Sequence, residues 1–238
     1  MRCVGSVIAL AVIFGLSTAA EAPHTPVLVE LFTSEGCSSC PPADALLAQI
    51  DSRSIAIVMS EHVDYWNHDG WADPFSSSES TARQEAYGQR FQIDSVYTPQ
   101  MVIDGSVQFT GSDAARASRE LAAAARRPKA AIALQRTAKG VTIKAGRGQA
   151  AAGVYLAIAD DSDESQVAAG ENRGRRLRHV AVVRSLRKVG KLGKDGVFEG
   201  EIALPEKARR QRVIVFLQEG SAGPILGAAM LGAGEGRL

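Results

Sequence analysis

Apolar residues in the first half of the chain form short runs that alternate with segments of helical pattern. Residues 27–32 are apolar except for Glu30, which is typical of a strand covered on both faces, and residues 55–59 form a second such run. A helical pattern follows each run, at residues 41–50 and 76–91. Because a helix separates the two strands, we expect them to pair in parallel.

A β-hairpin and a further helix are predicted next. Asp104-Gly105-Ser106 separates apolar residues 101–103 from 107–109, and Asp-Gly between two such runs is a strong hairpin signal. Ser112 is a suitable N-cap for an Ala-rich helix that ends near Pro128. The first half is therefore predicted to be an α/β domain, with a mixed sheet flanked by helices.

The pattern changes after Pro128. Short strand-like runs follow one another with no clear helix between them, at residues 132–134, 141–143, 154–159, 180–183, 197–204, 213–217 and 224–230. Such a series of strands predicts a mainly-β, sandwich-like domain. We therefore expect one domain at residues 23–128 and a second, β-rich domain at residues 129–238.

The N-terminus has the pattern of a secretory signal peptide. Arg2 precedes an uncharged, largely apolar stretch that ends in small residues, which predicts removal of residues 1–20. No later stretch approaches the roughly 20 apolar residues that a membrane-spanning helix needs. We expect a secreted or periplasmic protein with no stable membrane insertion after cleavage.

The charge balance gives no reason to expect a polyanionic partner. The 238 residues include 27 basic and 26 acidic ones, and loss of Arg2 with the signal peptide makes the two numbers equal. A chain without excess positive charge has no general attraction for nucleic acid or for an anionic membrane.

Cys37-Ser38-Ser39-Cys40 is the most informative motif. It lies where the first predicted strand passes into the first predicted helix, and a helix N-terminus stabilises a thiolate. Cys37, first in the motif and expected nearest to solvent, would be the nucleophile, and Cys40 the resolving thiol. Two other uses of the pair remain open: a structural disulfide, or a metal site completed by His62, which ends the second strand.

Two further segments extend this pattern into a family resemblance. Tyr97-Thr98-Pro99-Gln100-Met101-Val102-Ile103-Asp104-Gly105 is followed by Gly111-Ser112-Asp113. Together with the dithiol motif, they make residues 26–127 resemble the thioredoxin superfamily, in its compact glutaredoxin-like form. Residues 31–42 also resemble a family of exported bacterial thioredoxin-like proteins of unassigned function.

The resemblance implies roles for three more residues. The Thr98–Pro99 bond is expected to be cis, with Pro99 facing the dithiol and Thr98 offering its backbone to a substrate strand. Glu30 is near the position of a buried acid that relays the proton of the resolving thiol, although about one residue out of register. The alternative for Glu30 is a carboxylate paired with an arginine or placed at a sheet edge.

The expected function is that of an exported thiol–disulfide oxidoreductase. Its partners would be protein thiols or disulfides and a redox partner protein, and no cofactor is implied because electrons pass between protein thiols. One alternative is a periplasmic copper-binding or copper-delivery protein that uses Cys37, Cys40 and His62. Another is a non-catalytic binding module with a structural disulfide.

Several charged and aromatic residues are assigned to ordinary structural roles. Glu35 and Asp44 are expected to be solvated carboxylates that raise the pKa of a nearby thiol. Trp66 and Trp71 are expected to cover a gap between the two domains rather than to line a site. The acidic residues 160–164 and the basic residues 173–179 are expected in solvated loops, with an anion-binding loop as the alternative for the basic segment.

Overall fold

The computed structural model describes residues 26–52, 56–68, 70–146 and 152–233. The elements of the first half are β1 (Val27–Thr33), α1 (Pro41–Asp51), β2 (Ala56–His62), α2 (Ser78–Phe91), β3 (Gln100–Ile103), β4 (Val107–Thr110) and α3 (Ala114–Ala124). Those of the second half are β5 (Ala131–Arg136), β6 (Gly140–Gly146), β7 (Gly153–Gln166), β8 (Arg176–Lys191), β9 (Phe198–Ala203), a 3₁₀ helix (Glu206–Arg210), β10 (Arg212–Gln218) and β11 (Ile225–Leu231).

Every strand and helix predicted from the sequence has a counterpart in this order. β1 and β2 pair in parallel, and β3 and β4 form the antiparallel hairpin expected around Asp104-Gly105. The start of α3 differs by one residue, because Asp113 rather than Ser112 accepts the hydrogen bond from the backbone N–H of Arg116. The predicted signal peptide lies outside the described residues. No helix in the described part of the chain is long and apolar enough to cross a membrane.

One mixed sheet of eight strands runs through both halves, in the order β11-β10-β7-β8-β2-β1-β3-β4. The halves meet where β2 and β8 pair in parallel, at Ser60 and Val182. The sheet therefore continues past the predicted domain boundary at residue 128. Both faces of β10 in this common sheet are covered, because Val213 and Val215 pack into one core and Ile214 and Phe216 pack into another.

The expected sandwich is present only in part. β5, β6 and β9 form a separate three-stranded sheet that packs against one face of the large sheet. Val141 and Ile143 of β6 share a core there with Leu156 of β7 and Val213 of β10. The second half is thus a small two-layer β structure whose larger layer belongs to the common sheet.

The charged runs of the second half are mostly strand rather than loop, which corrects the expectation from the sequence. Residues 160–164 continue β7, and the segment that begins at Arg176 continues β8. Opposite charges pair across the strands: Glu164 faces Arg178 in the register and forms an ion pair with Arg176. Cross-strand ion pairs of this kind stabilise two antiparallel strands whose sequences do not alternate between apolar and polar residues.

The outer part of the β7–β8 hairpin lies against α1. Val180 and Ala181 of β8 pack into the same core as Leu47 of α1, on the face of the sheet that carries Val29 and Leu31. The hairpin therefore brings residues of the second half to the N-terminal end of α1, where the two cysteines are.

The hairpin turn between β3 and β4 is closely packed against the second half. Asp104 and Gly105 have positive φ angles of 46° and 57°, as a tight hairpin turn requires, and the backbone N–H of Ile225 donates to Asp104 O over 2.8 Å. A Cβ at Gly105 would lie 2.2 Å from Gly223 O. Glycine is therefore required here both by the backbone conformation and by the neighbouring chain.

We expect Gly105→Ala to lower the free energy of unfolding by about 2 kcal/mol or more, because it adds a Cβ to a left-handed residue against a backbone oxygen. Gly146→Ala is the matched control, since a Cβ there meets nothing within 4 Å. Urea unfolding of both variants measures the difference. Equal stability of the two variants would show that the turn does not have this close contact in solution.

Candidate active site

The two cysteines lie at the junction between β1 and α1 and form a disulfide, with their Cα atoms 5.5 Å apart. Cys40 is the N-cap residue of α1 and Pro41 begins the helix, where the N–H group that proline lacks would have no intrahelical acceptor. Cys37 is 1% exposed and Cys40 is 0% exposed, whereas Ser38 and Ser39 are exposed. The expected exposure of Cys37 is not found.

Residues 167–175, which connect β7 to β8, lie against the dithiol motif, and we call them the cap segment. Asn172 is fully buried, and its Nδ2 donates to Glu35 O over 2.8 Å and to Cys37 O over 2.9 Å. Glu171 accepts a hydrogen bond from Ser38 N over 2.9 Å, which lowers the pKa of its carboxyl group. The cap segment thus binds the backbone on both sides of Cys37.

Trp66 closes a second side of the motif. Its Nε1 donates to Thr98 Oγ1 over 2.8 Å, and a Cβ at Gly36 would lie 2.9 Å from Trp66 Cβ. The Thr98–Pro99 bond is cis, as expected. The tryptophan side chain therefore lies beside the dithiol rather than in a gap between two domains. Its N–H group is hydrogen-bonded to the hydroxyl oxygen of Thr98.

Glu35 is fully buried rather than solvated, which corrects the expectation from the sequence. Its carboxylate accepts a hydrogen bond from Trp71 Nε1 over 2.8 Å and another from Ser165 Oγ. His179 Nε2 lies 3.2 Å from Glu35 Oε1. Residues from the loop after β2, from β7 and from β8 therefore converge on one carboxylate next to the motif.

Asp44, one helical turn after Cys40, is also buried. It accepts a hydrogen bond from Thr33 Oγ1 over 2.9 Å, and its Oδ2 lies 3.8 Å from His179 Nδ1. His179 thus lies between Glu35 and Asp44. The ring of His62 is 4.6 Å from the ring of His179, and His62 Nδ1 lies 2.7 Å from Asp73 Oδ2.

This arrangement determines the charge of His179. Burial lowers the pKa of the imidazole, but the carboxylates of Asp44 and Glu35 outweigh burial and raise the pKa to about 9. His179 is therefore a buried cation at neutral pH, and it offsets one of the two negative charges that flank the motif.

His62 takes part in this cluster through its Nδ1 atom. Its Nδ1 is engaged by Asp73, whose pKa is lowered by His62 against the opposing effect of burial. Among the residues that the structure describes, no three His, Cys, Asp or Glu side chains are arranged to hold a metal ion.

Glu30 points to the other face of the sheet. It shares that face with Leu28 and Phe32, while α1 packs on Val29 and Leu31. Its carboxylate accepts hydrogen bonds from Arg83 Nε over 2.5 Å and from Tyr87 Oη over 2.6 Å. Glu30 was considered as a proton relay for the resolving thiol or as a carboxylate paired with an arginine. The structure shows the pairing with an arginine, Arg83.

A cavity of about 640 Å³ opens between α1 and β8, next to the dithiol. Pro41 and Asp44 of the helix line one side, and Arg175 and Arg178 line the other. Both arginines are exposed. The basic segment of the sequence thus forms one wall of an open groove that begins beside Cys40.

Sequence reasoning missed Asn172, Ser165 and His179 as neighbours of the motif. The first two are ordinary polar residues in a polar stretch, with no spacing that connects them to residue 37. His179 has a weak signal, because it follows the exposed Arg178 and directly precedes the apolar residues 180–183. A lone histidine at the start of an apolar strand is often buried.

The charge of His179 predicts a pH dependence of stability. Its pKa is about 9 in the folded protein and about 6.5 in an unfolded chain, so folding binds a proton between these values. The stabilisation is fully present below pH 6.5 and is lost as the pH rises through 9. We expect the free energy of unfolding to fall by roughly 1–3 kcal/mol over this window.

Urea unfolding at several pH values measures this decrease, and His179→Gln should remove most of it. Replacement of the exposed His68 by Gln is the control and should leave the decrease in place. A His179→Gln protein with an unchanged pH dependence would show that another group titrates.

Comparison with solved structures gives two matches over most of the chain. The crystal structure of the protein AGR_C_4864 from Agrobacterium tumefaciens is 29% identical, covers 92% of this chain and 99% of that chain, and superposes with a TM-score of 0.78. HBP35 of Porphyromonas gingivalis is 14% identical, covers 90% of this chain and 76% of that chain, and has a TM-score of 0.58, which shows a shared fold alone.

Among curated proteins, no match is found. A family model described as "Protein of unknown function (DUF1223)" matches residues 28–218, which include the dithiol motif, the cap segment and the strand that carries His179. The chain therefore belongs to the DUF1223 family.

Proposed function

We propose that this protein exchanges disulfides with protein thiols through Cys37 and Cys40. The observation that carries the proposal is the bonded cysteine pair at the first turn of α1, where the helix dipole favours a thiolate. The resemblance of residues 26–127 to the thioredoxin superfamily supports the same chemistry. So does the predicted signal peptide, since an oxidising compartment permits a disulfide.

The exchange balances without a cofactor. In one direction, the Cys37 thiolate attacks a substrate disulfide, forms a mixed disulfide and releases one substrate thiolate. Cys40, as a thiolate, then attacks the Cys37 sulfur, which releases the second substrate thiolate and forms the Cys37–Cys40 disulfide. Two electrons pass from the protein to the substrate. The reverse sequence oxidises a substrate dithiol.

The charges next to the motif partly cancel. Glu35 and Asp44 alone would raise the pKa of a neighbouring thiol, which opposes the formation of a thiolate. The buried cation of His179 lies between these carboxylates and offsets one of the two negative charges. The field that opposes a thiolate at the dithiol is thereby weakened, and the helix dipole acts against a smaller net negative charge.

Substrate access requires movement of the cap segment, because Cys37 is 1% exposed in the disulfide form. Asn172 and Glu171 hold the cap segment on the backbone at Cys37 and Ser38. The open groove between α1 and β8 is the place where a partner chain would lie once the cap segment has moved.

The reduction potential of the pair separates this proposal from its alternative. Catalytic dithiols have potentials between roughly −120 and −270 mV, whereas structural disulfides typically lie below about −300 mV. We expect a value in the catalytic range from equilibration in thiol redox buffers. In addition, Cys40→Ser should accumulate mixed disulfides through Cys37, and the double variant with Cys37→Ser should not.

The burial of Cys37 favours a second candidate, a structural disulfide within a binding module. A potential below about −300 mV, together with no mixed disulfide in the Cys40→Ser protein, would select this candidate. Partner binding would then survive Cys37→Ser.

The cap segment makes a separate kinetic prediction. In the Cys40→Ser background, Asn172→Ala removes two hydrogen bonds to the motif, which favours local opening and should speed alkylation of Cys37 about tenfold or more. The rate of reaction with iodoacetamide measures the change. Arg173→Ala is the control, because this neighbouring side chain is exposed. Equal rates for the two variants would show that the cap segment does not limit access.

A further inference from the structure

A second cavity lies on the opposite face of the large sheet from the dithiol. It has a volume of about 430 Å³, which is within the range of small-molecule sites, and it is bounded by α2 and by the second half of β8. Its walls combine apolar and polar side chains, among them Glu61, Arg83, Tyr155, Val183, Leu186 and Lys188.

The inner end of the cavity is formed by a buried carboxyl group with an unused acceptor. Glu61 is 1% exposed, and its Oε1 has no hydrogen-bond partner among the described residues. Arg83 does not meet this need, because its Nε lies 3.6 Å from Glu61 Oε2 and the guanidinium is committed to Glu30 and Gln218. A buried acceptor without a partner is costly, so a bound N–H donor would stabilise it.

The outer end of the cavity carries an available cation. Lys188 is exposed on β8 and forms no ion pair within the described residues, whereas Arg184 is paired with Asp160 and Asp163. Arg187 also lines the cavity, and its guanidinium donates to Ala203 O. Lys188 is thus a cation of the cavity wall with neither an ion pair nor a hydrogen bond to another described residue.

The distance between the two ends follows from the strand register. Because Ser60 pairs with Val182, Val183 lies beside Glu61, and Lys188 is five residues farther along β8. β8 has a bulge at Arg184, so Val183 and Lys188 face Ala159 and Tyr155, four residues apart on β7, and at about 3.3 Å per residue the two polar ends are roughly 13 Å apart. The surface between them includes Leu186 and the ring of Tyr155, beside polar side chains.

We propose that this cavity binds a short peptide with free termini, whose amine donates to Glu61 and whose carboxylate pairs with Lys188. Four residues in extended form span about 14 Å, which matches the separation of the two ends. Leu186 and the ring of Tyr155 accommodate the side chains between the termini and favour aliphatic ones. This site is independent of the dithiol, because it lies on the other face of the sheet and uses none of the same residues.

The tetrapeptide Ala-Leu-Leu-Ala is a suitable probe, used with the full mature chain in its disulfide form and measured by isothermal titration calorimetry. We expect it to bind with a Kd below about 1 mM. Acetylation of its amine or amidation of its carboxylate should each weaken binding about tenfold, since each removes the charge that the peptide brings to one contact.

Two variants test the two ends in the protein. Glu61→Met and Lys188→Met should each weaken binding of the free tetrapeptide about tenfold. The Glu61→Met protein should bind the free and the acetylated tetrapeptide with equal affinity. Glu85→Met on α2 and Lys191→Met on β8 are the controls. Both side chains are exposed on elements that bound the cavity, but neither side chain lines it. Lys188 is itself exposed, so that variant remains informative if the buried substitution disturbs folding.

Three results would overturn the proposal. One is no binding of the free tetrapeptide at concentrations near 1 mM. The others are equal binding of all blocked forms, or an affinity that neither Glu61→Met nor Lys188→Met changes. None of these results depends on the redox activity of Cys37 and Cys40, because the disulfide remains intact throughout.

Discussion

The pairing of β2 with β8 is the constraint on which the rest of the structure depends. It joins the two halves of the chain at Ser60 and Val182 and turns two groups of strands into one sheet. Since β8 enters at this point, its first residues lie along α1 and its last residues lie along α2. The dithiol face and the cavity face are therefore both completed by the same strand.

Buried charge is handled in the same way on the two faces of this sheet. On the dithiol face, Glu35 and Asp44 share His179, and on the other face Glu30 and Glu61 share Arg83. Burial, and next to it the charge of Glu30, raises the pKa of Glu61 well above its usual value. A carboxyl group held in this state accepts or donates a hydrogen bond without the full cost of a buried anion.

The sequence was sufficient for the local elements and for the position of the dithiol, because periodicity and turn residues act over short distances. It was insufficient where contacts join residues far apart in the chain. Residues 160–164 read as a loop since their charges have no alternation, yet the basic partners on β8 place them in a strand. Glu35 read as solvated because nothing near it in sequence indicates Trp71, Ser165 or His179.

The shared sheet also bears on how the chain becomes organised during synthesis. A fragment that ended at residue 128 would contain the dithiol motif and β1 to β4, but β2 would be an open edge with unpaired N–H and C=O groups. Such an edge invites pairing with another copy of the same fragment. The N-terminal half therefore depends on the later arrival of β8 to become a self-contained, non-associating unit.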